Sequence, residues 1–68
     1  MKNKVNIKAR DLEVHDSFRT SQGKGVYTVY EIEQLGKRIR LTVQEESAPN
    51  YLEYLHCNID DAVERIVS

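Results

Sequence analysis

Sulfur chemistry, chain breakers and long apolar runs are all scarce in this 68-residue chain. A single cysteine, Cys57, leaves no internal disulfide to form, which fits a reducing compartment. A zinc site wants about four ligands at paired spacing, and no second cysteine exists to supply them. No apolar run approaches the roughly 18 residues that a membrane-spanning helix requires. The opening MKNKVNIKARDLEV holds lysines but no apolar signal-peptide core, so a cytoplasmic location is expected. Glycines flank Lys24 in Ser21-Gln22-Gly23-Lys24-Gly25, but the longer glycine pattern and following helix of a phosphate-binding loop are missing. No cofactor is expected.

What is present reads as one small domain spanning residues 1–68. Hydrophobic residues make up 40% and charged residues 31%, which excludes disorder throughout. A chain this short sits near the limit at which a core alone holds a fold, so packing or association with a partner or another copy must stabilise it. Net charge is −1, unevenly spread: residues 1–40 hold nine Lys/Arg and five Asp/Glu, residues 41–68 one and six. A basic first half can meet phosphate and an acidic second half a basic surface, or the two can neutralise each other across a compact fold.

The organising stretch is Val26 to Val43, VYTVYEIEQLGKRIRLTV. Ile39, Leu41 and Val43 alternate with Arg38, Arg40 and Thr42, while the first half is β-branched and aromatic and Leu35-Gly36 marks a turn. Matching side chains across an antiparallel hairpin sets Glu33 against Arg38, Ile32 against Ile39, Glu31 against Arg40 and Tyr30 against Leu41. One face then carries Val26, Thr28, Tyr30, Ile32, Ile39, Leu41 and Val43. Before it, Val5, Ile7 and Ala9 point inward from a first strand, Leu12 and Val14 plug one end of the core, and Phe18 begins another strand. After it, Pro49 keeps residues 45–50 out of a ladder and Tyr51 to Cys57 resumes as a strand. Either Tyr51, Glu53, Leu55 and Cys57 or Leu52, Tyr54 and His56 face the core. Residues 58–67 read as a helix behind Asn58, or as a 3₁₀ turn at 59–62 followed by a closing strand.

Asp11-Leu12-Glu13-Val14-His15-Asp16-Ser17-Phe18, a glycine-containing tip, then Tyr27-Thr28-Val29-Tyr30-Glu31-Ile32 resembles the opening of small SH3-like barrels. The KOW-like first domain of bacterial elongation factor P is one example, and Asp60-Asp61-Ala62-Val63-Glu64 is similar to the turn and last strand of that barrel. Uncharacterised small bacterial and phage proteins share the outline. The resemblance implies an all-β fold, a partly open five-stranded SH3-like barrel with one short 3₁₀ or helical segment near the C-terminus. It carries over no functional residue, because the loop Gln34-Leu35-Gly36-Lys37 is short and Lys24 lies in an earlier one.

Candidate chemistry is sparse. His56 and Cys57 precede Asp60 and Asp61, but neighbours on a strand point to opposite faces and cannot serve one substrate or metal. His15-Asp16 suits a corner held by the Asp side chain. No catalytic or metal site is expected, and the chain is not expected to be an enzyme. Two surfaces remain. Tyr27, Val29 and Thr42 on the outer face of the hairpin would mark a protein-binding patch, unless another segment covers them. Lys4, Lys8 and Arg10 with Lys37, Arg38 and Arg40 would form a phosphate-binding stripe, unless the arginines are engaged by Glu31 and Glu33. The expected function is a non-catalytic interaction module that binds a protein partner or itself, of phage or mobile-element origin. Nucleic-acid binding through the basic stripe is the alternative.

Overall fold

The computed structural model describes residues 3–20, 23, 25–48 and 50–67. Ser21, Gln22 and Lys24 of the expected loop tip, and Pro49, lie outside them. The fold is all-β. Six antiparallel strands, one more than the five-stranded layout, form one sheet: β1 (Asn3–Lys8), β2 (Ser17–Thr20), β3 (Tyr27–Leu35), β4 (Arg38–Glu45), β5 (Leu52–Asn58) and β6 (Ala62–Val67). Their order across the sheet is β1-β6-β2-β3-β4-β5, which leaves β1 and β5 as unjoined edges, as in a partly open barrel.

Strand β4 carries the alternation that the sequence predicts. Ile39, Leu41 and Val43 are buried, while Arg38 is exposed and Arg40 and Thr42 are half-buried. They pack with Ala9, Leu12, Phe18, Val29 and Val63 in one core cluster. Phe18 also meets the ring of Tyr27 at a centroid distance of 5.7 Å, tilted by 33°. Leu12 plugs the core as expected, whereas Val14 is 45% exposed.

The hairpin register differs from the expected one. Leu35 pairs with Arg38, Gln34 with Ile39, Glu33 with Arg40 and Ile32 with Leu41. The reason is the loop. Gly36 adopts a φ of 65°, so Gly36-Lys37 turns the chain in two residues, and Gln34 and Leu35 stay in the strand. Glycine reaches positive φ without the Cβ clash that penalises other residues. The displacement is two residues, so each side chain above it keeps its expected face.

A second correction lies lower in β3. The register shifts between Val29 and Glu31, leaving Tyr30 as the extra residue of a β-bulge. An extra residue inverts which side chains point inward beyond it. Val29, expected outside, is therefore fully buried opposite Val43, and Tyr30, expected inside, is 41% exposed. Thr28, also expected inside, pairs with Gln44 on the outer side.

The 3₁₀ segment sits at Ala9–Asp11 and not near the C-terminus. Ala9 and Arg10 donate backbone bonds to Asp61 and Ile59 at 2.8 and 3.1 Å, which tie this turn to the β5–β6 connection. Residues 62–67 form the closing strand. Val63, Arg65 and Val67 pair with Ile7, Val5 and Asn3, so the ladder with β1 overrides the helical spacing of their apolar residues.

Leu41→Ala should remove most of the native stability. The side chain is 1% exposed at the centre of the core, and deleting a buried leucine costs about 2–5 kcal/mol. Chemical denaturation of the two proteins measures the loss, and a midpoint unchanged from the parent would show that the core does not close on Leu41.

Candidate interaction surface

Because β3, β4 and β5 pair in register, the side chains of their outer face fall into rows. Glu31, Thr42 and Tyr54 form one row; Glu33, Arg40 and His56 form the next; Leu35, Arg38 and Asn58 lie nearest the hairpin tip. At the opposite end, Gln44 lies beside Leu52. The Tyr30 hydroxyl donates to Gln44 Oε1 at 2.6 Å, which fixes the bulged tyrosine on the same outer face. Leu52 is 62% exposed and Tyr54 63%. The face thus has an aromatic and apolar end at Tyr30, Leu52 and Tyr54, and a basic end at Lys37, Arg38 and Arg40.

Arg40 stands between the two. Its guanidinium lies 5.1 Å from the centre of the Tyr54 ring and 3.1 Å from the Glu33 carboxylate. Both contacts are exposed, so each contributes at most about 1 kcal/mol. Arg40 thus bridges Glu33 and the Tyr54 ring across the outer face. The expected pairing of Glu31 with Arg40 is replaced by Glu33, a consequence of the two-residue loop.

The three residues expected to form a protein-binding patch are not together. Val29 is in the core, Tyr27 is half-buried against Phe18, and only Thr42 lies on the outer face, in the row of Tyr54. Sequence reasoning missed Tyr30, Leu52 and Tyr54. The bulge hid the first. The other two belonged to one of two alternatives for β5, and the structure selects Leu55 and Cys57 as the half-buried side.

The six expected basic residues divide. Lys8 and Arg10 both approach Asp60 Oδ1, at 3.7 and 3.6 Å. Ile59 donates its amide to Lys37 O at 2.9 Å and accepts from Arg10 N at 3.1 Å, so the hairpin tip and the 3₁₀ turn meet at one end of the sheet. Lys8, Arg10, Lys37 and Arg38 are thereby gathered around an acidic turn, and Lys4 lies further along β1. Asp60 thus stands among the basic residues that join β1 to the hairpin tip.

Among the described residues no group of three or more His, Cys, Asp or Glu side chains could hold a metal ion. His56 and Cys57 point to opposite faces, and Asp61 instead accepts from the Asn58 amide at 2.8 Å. Asp16 holds its corner by accepting from the Glu13 amide at 2.9 Å, and His15 takes a φ of 78° there. No helix among the described residues is long and apolar enough to cross a membrane.

No family model matches the chain, and no curated protein or solved structure is significantly similar to it.

Two groups titrate abnormally. Burial and the nearby Asp61 push the Cys57 thiol up, against a smaller opposing pull from Arg38. Burial and the carboxylates of Glu45 and Glu53 push the Tyr27 hydroxyl up. The folded state therefore holds both protons more tightly than the unfolded chain. Stability is complete below the ordinary thiol range and falls as pH climbs through it. Melting temperature should thus decline above about pH 8.5, and in Cys57→Ala the onset of that decline should move toward about pH 10. Equal onsets in the two proteins would show that the fold does not raise the Cys57 thiol.

Proposed function

We propose that this chain is a small non-catalytic interaction module, binding a protein partner or its own copy through the outer face of β3, β4 and β5. The observation that carries this reading is the cluster of Tyr30, Leu52 and Tyr54. They sit on one face of three adjacent strands, between 41% and 63% exposed, with Thr42 and Gln44 between them. Scattered exposed apolar residues need no explanation, but apolar and aromatic groups gathered on one sheet face with a polar rim are how a protein-binding surface is built. Tyrosine suits such a surface, since it offers a large contact area with few torsions to freeze.

A second reading has its own observation. Arg40 beside Tyr54, with Lys37 and Arg38 making no ion pair among the described residues, is also the arrangement on which a single-stranded base could stack. Against it stand Glu31 and Glu33 on the same face, which oppose a phosphate backbone.

Salt separates the two. An apolar contact should survive about 0.5 M salt, whereas phosphate contacts weaken steeply as counterions compete. Immobilised protein should retain a binding protein at high salt, and the doubly substituted Tyr30→Ser, Leu52→Ser chain should lose it while keeping its β-sheet circular dichroism. The retained protein, once purified, should rebind the parent and not the variant. Oligonucleotide binding at about 50 mM salt that disappears in Arg40→Ala would instead establish the nucleic-acid reading.

A further inference from the structure

The alternation of hydrogen bonds along β5 identifies which backbone groups its free edge presents. In an antiparallel ladder, residues alternate between those bonded to the neighbouring strand and those whose amide and carbonyl point away. The Ile59 amide bonds to Lys37 O at 2.9 Å, and this register continues as Cys57 with Ile39, Leu55 with Leu41 and Glu53 with Val43. These odd-numbered residues therefore bond to β4. The groups of Leu52, Tyr54, His56 and Asn58 point outward. Asn58 is already satisfied, since its amide donates to Asp61 Oδ2 at 2.8 Å and its carbonyl accepts from Asp61 N at 3.1 Å. Among the described residues, Leu52, Tyr54 and His56 are left with three donors and three acceptors on the edge.

The opposite edge is built differently. Ala9 donates to Asp61 O, and by the same alternation Ile7 and Val5 bond to β6 while Lys4, Asn6 and Lys8 present their backbone outward. Lysines on an exposed edge discourage pairing, because the incoming strand must desolvate them. The outward positions of β5 hold no charged side chain, no proline and no bulge, and its register with β4 is unbroken from Leu52 to Asn58.

We infer that a second copy of this chain pairs with β5 through its own β5, antiparallel, about a twofold axis at Tyr54. The inference rests on the reading above that the β5 side of the sheet is the interacting side. The hydrogen-bond pattern selects the register. Outward groups can bond only to outward groups, so all three residues are used when Tyr54 meets Tyr54 of the second copy, and Leu52 and His56 meet each other twice. Any other twofold register leaves one of the three unpaired.

The side chains suit it. The two Tyr54 rings form a cross-strand aromatic pair, and Glu53, the only charge on β5, lies opposite Leu55 of the second copy. The two Glu53 residues are diagonal neighbours, their Cα atoms on the order of 7–8 Å apart, and their carboxylates repel each other mildly. A net charge of −1 per chain opposes association little. The contact is isologous and closes on itself, whereas β5 meeting β1 of another copy would extend without end and set Lys4 and Lys8 beside it.

Sedimentation equilibrium across about 10 μM to about 1 mM, a range suited to a small interface, should show a monomer–dimer equilibrium. Tyr54→Pro removes an amide that no bond within the chain uses, so the edge strand tolerates it. It deletes two intermolecular bonds together with the Tyr54 ring pair and should weaken the dimer by about thirtyfold or more, with the sheet intact by circular dichroism. Glu53→Gln should tighten it. A monomer at every concentration, a dimer unaffected by Tyr54→Pro, or growth into filaments overturns the inference. The Tyr30→Ser, Leu52→Ser chain keeps the edge backbone intact. Dimerisation there together with loss of a partner protein would separate failure of one proposal from failure of the other.

Discussion

The buried row of Ile39, Leu41 and Val43 on β4 is the constraint on which the rest of this fold depends. Burying one face of a strand fixes the register of both neighbours, because any odd slip would send charged residues inward. Strand β3 is held to that row by Val29 and Ile32, and β5 by Leu55 and Cys57. The same alternation sends Arg38, Arg40 and Thr42 outward and so fixes which side chains the outer face presents. The core and the exposed outer face are two faces of one pleat.

The bulge at Tyr30 reconciles β3 with its two neighbours. Beyond the bulge the chain must deliver Val29 to the core while the Val29 backbone exchanges bonds with the β2 side: His15 donates to Val29 O at 2.8 Å and Val29 donates to Asp16 O at 2.9 Å. A regular strand in the observed upper register would place Tyr30 in the core in its stead. One inserted residue solves the packing and moves a tyrosine to the outer face, where its hydroxyl finds Gln44. A packing solution inside thus creates a surface feature outside.

How much was legible follows from these two facts. Clean alternation reveals β4 and its inward residues, and Phe18 and Leu12 are visible as isolated apolar residues among polar ones. Matching opposite charges misplaces the hairpin by two residues, because Glu33 can satisfy Arg38 or Arg40 nearly equally, and exposed pairs discriminate weakly. The glycine was the better guide, since positive φ at Gly36 permits a two-residue turn. A bulge has no sequence signal when the inserted residue is a tyrosine among β-branched neighbours, so Val29 and Tyr30 exchange roles. For β5, both faces carry apolar residues, and pattern alone cannot choose between them. That ambiguity has a physical meaning here: Leu52 and Tyr54 are apolar on a face that the chain itself does not cover.

The size of the core connects these points to association. Eight side chains are buried among the described residues, and eight large hydrophobic residues are exposed there. In a chain of this length a single core supplies only a few kcal/mol, and small domains commonly gain the remainder from oligomerisation. The two edges then differ for a reason. Lys4 and Lys8 occupy outward positions of β1, while the outward positions of β5, beside the aromatic patch, carry no charged side chain. If β5 existed only to complete the core, a lysine in place of Leu52 or Tyr54 would protect the edge at little cost to stability, since both side chains lie in solvent. Their presence is the feature of this surface that core packing does not account for.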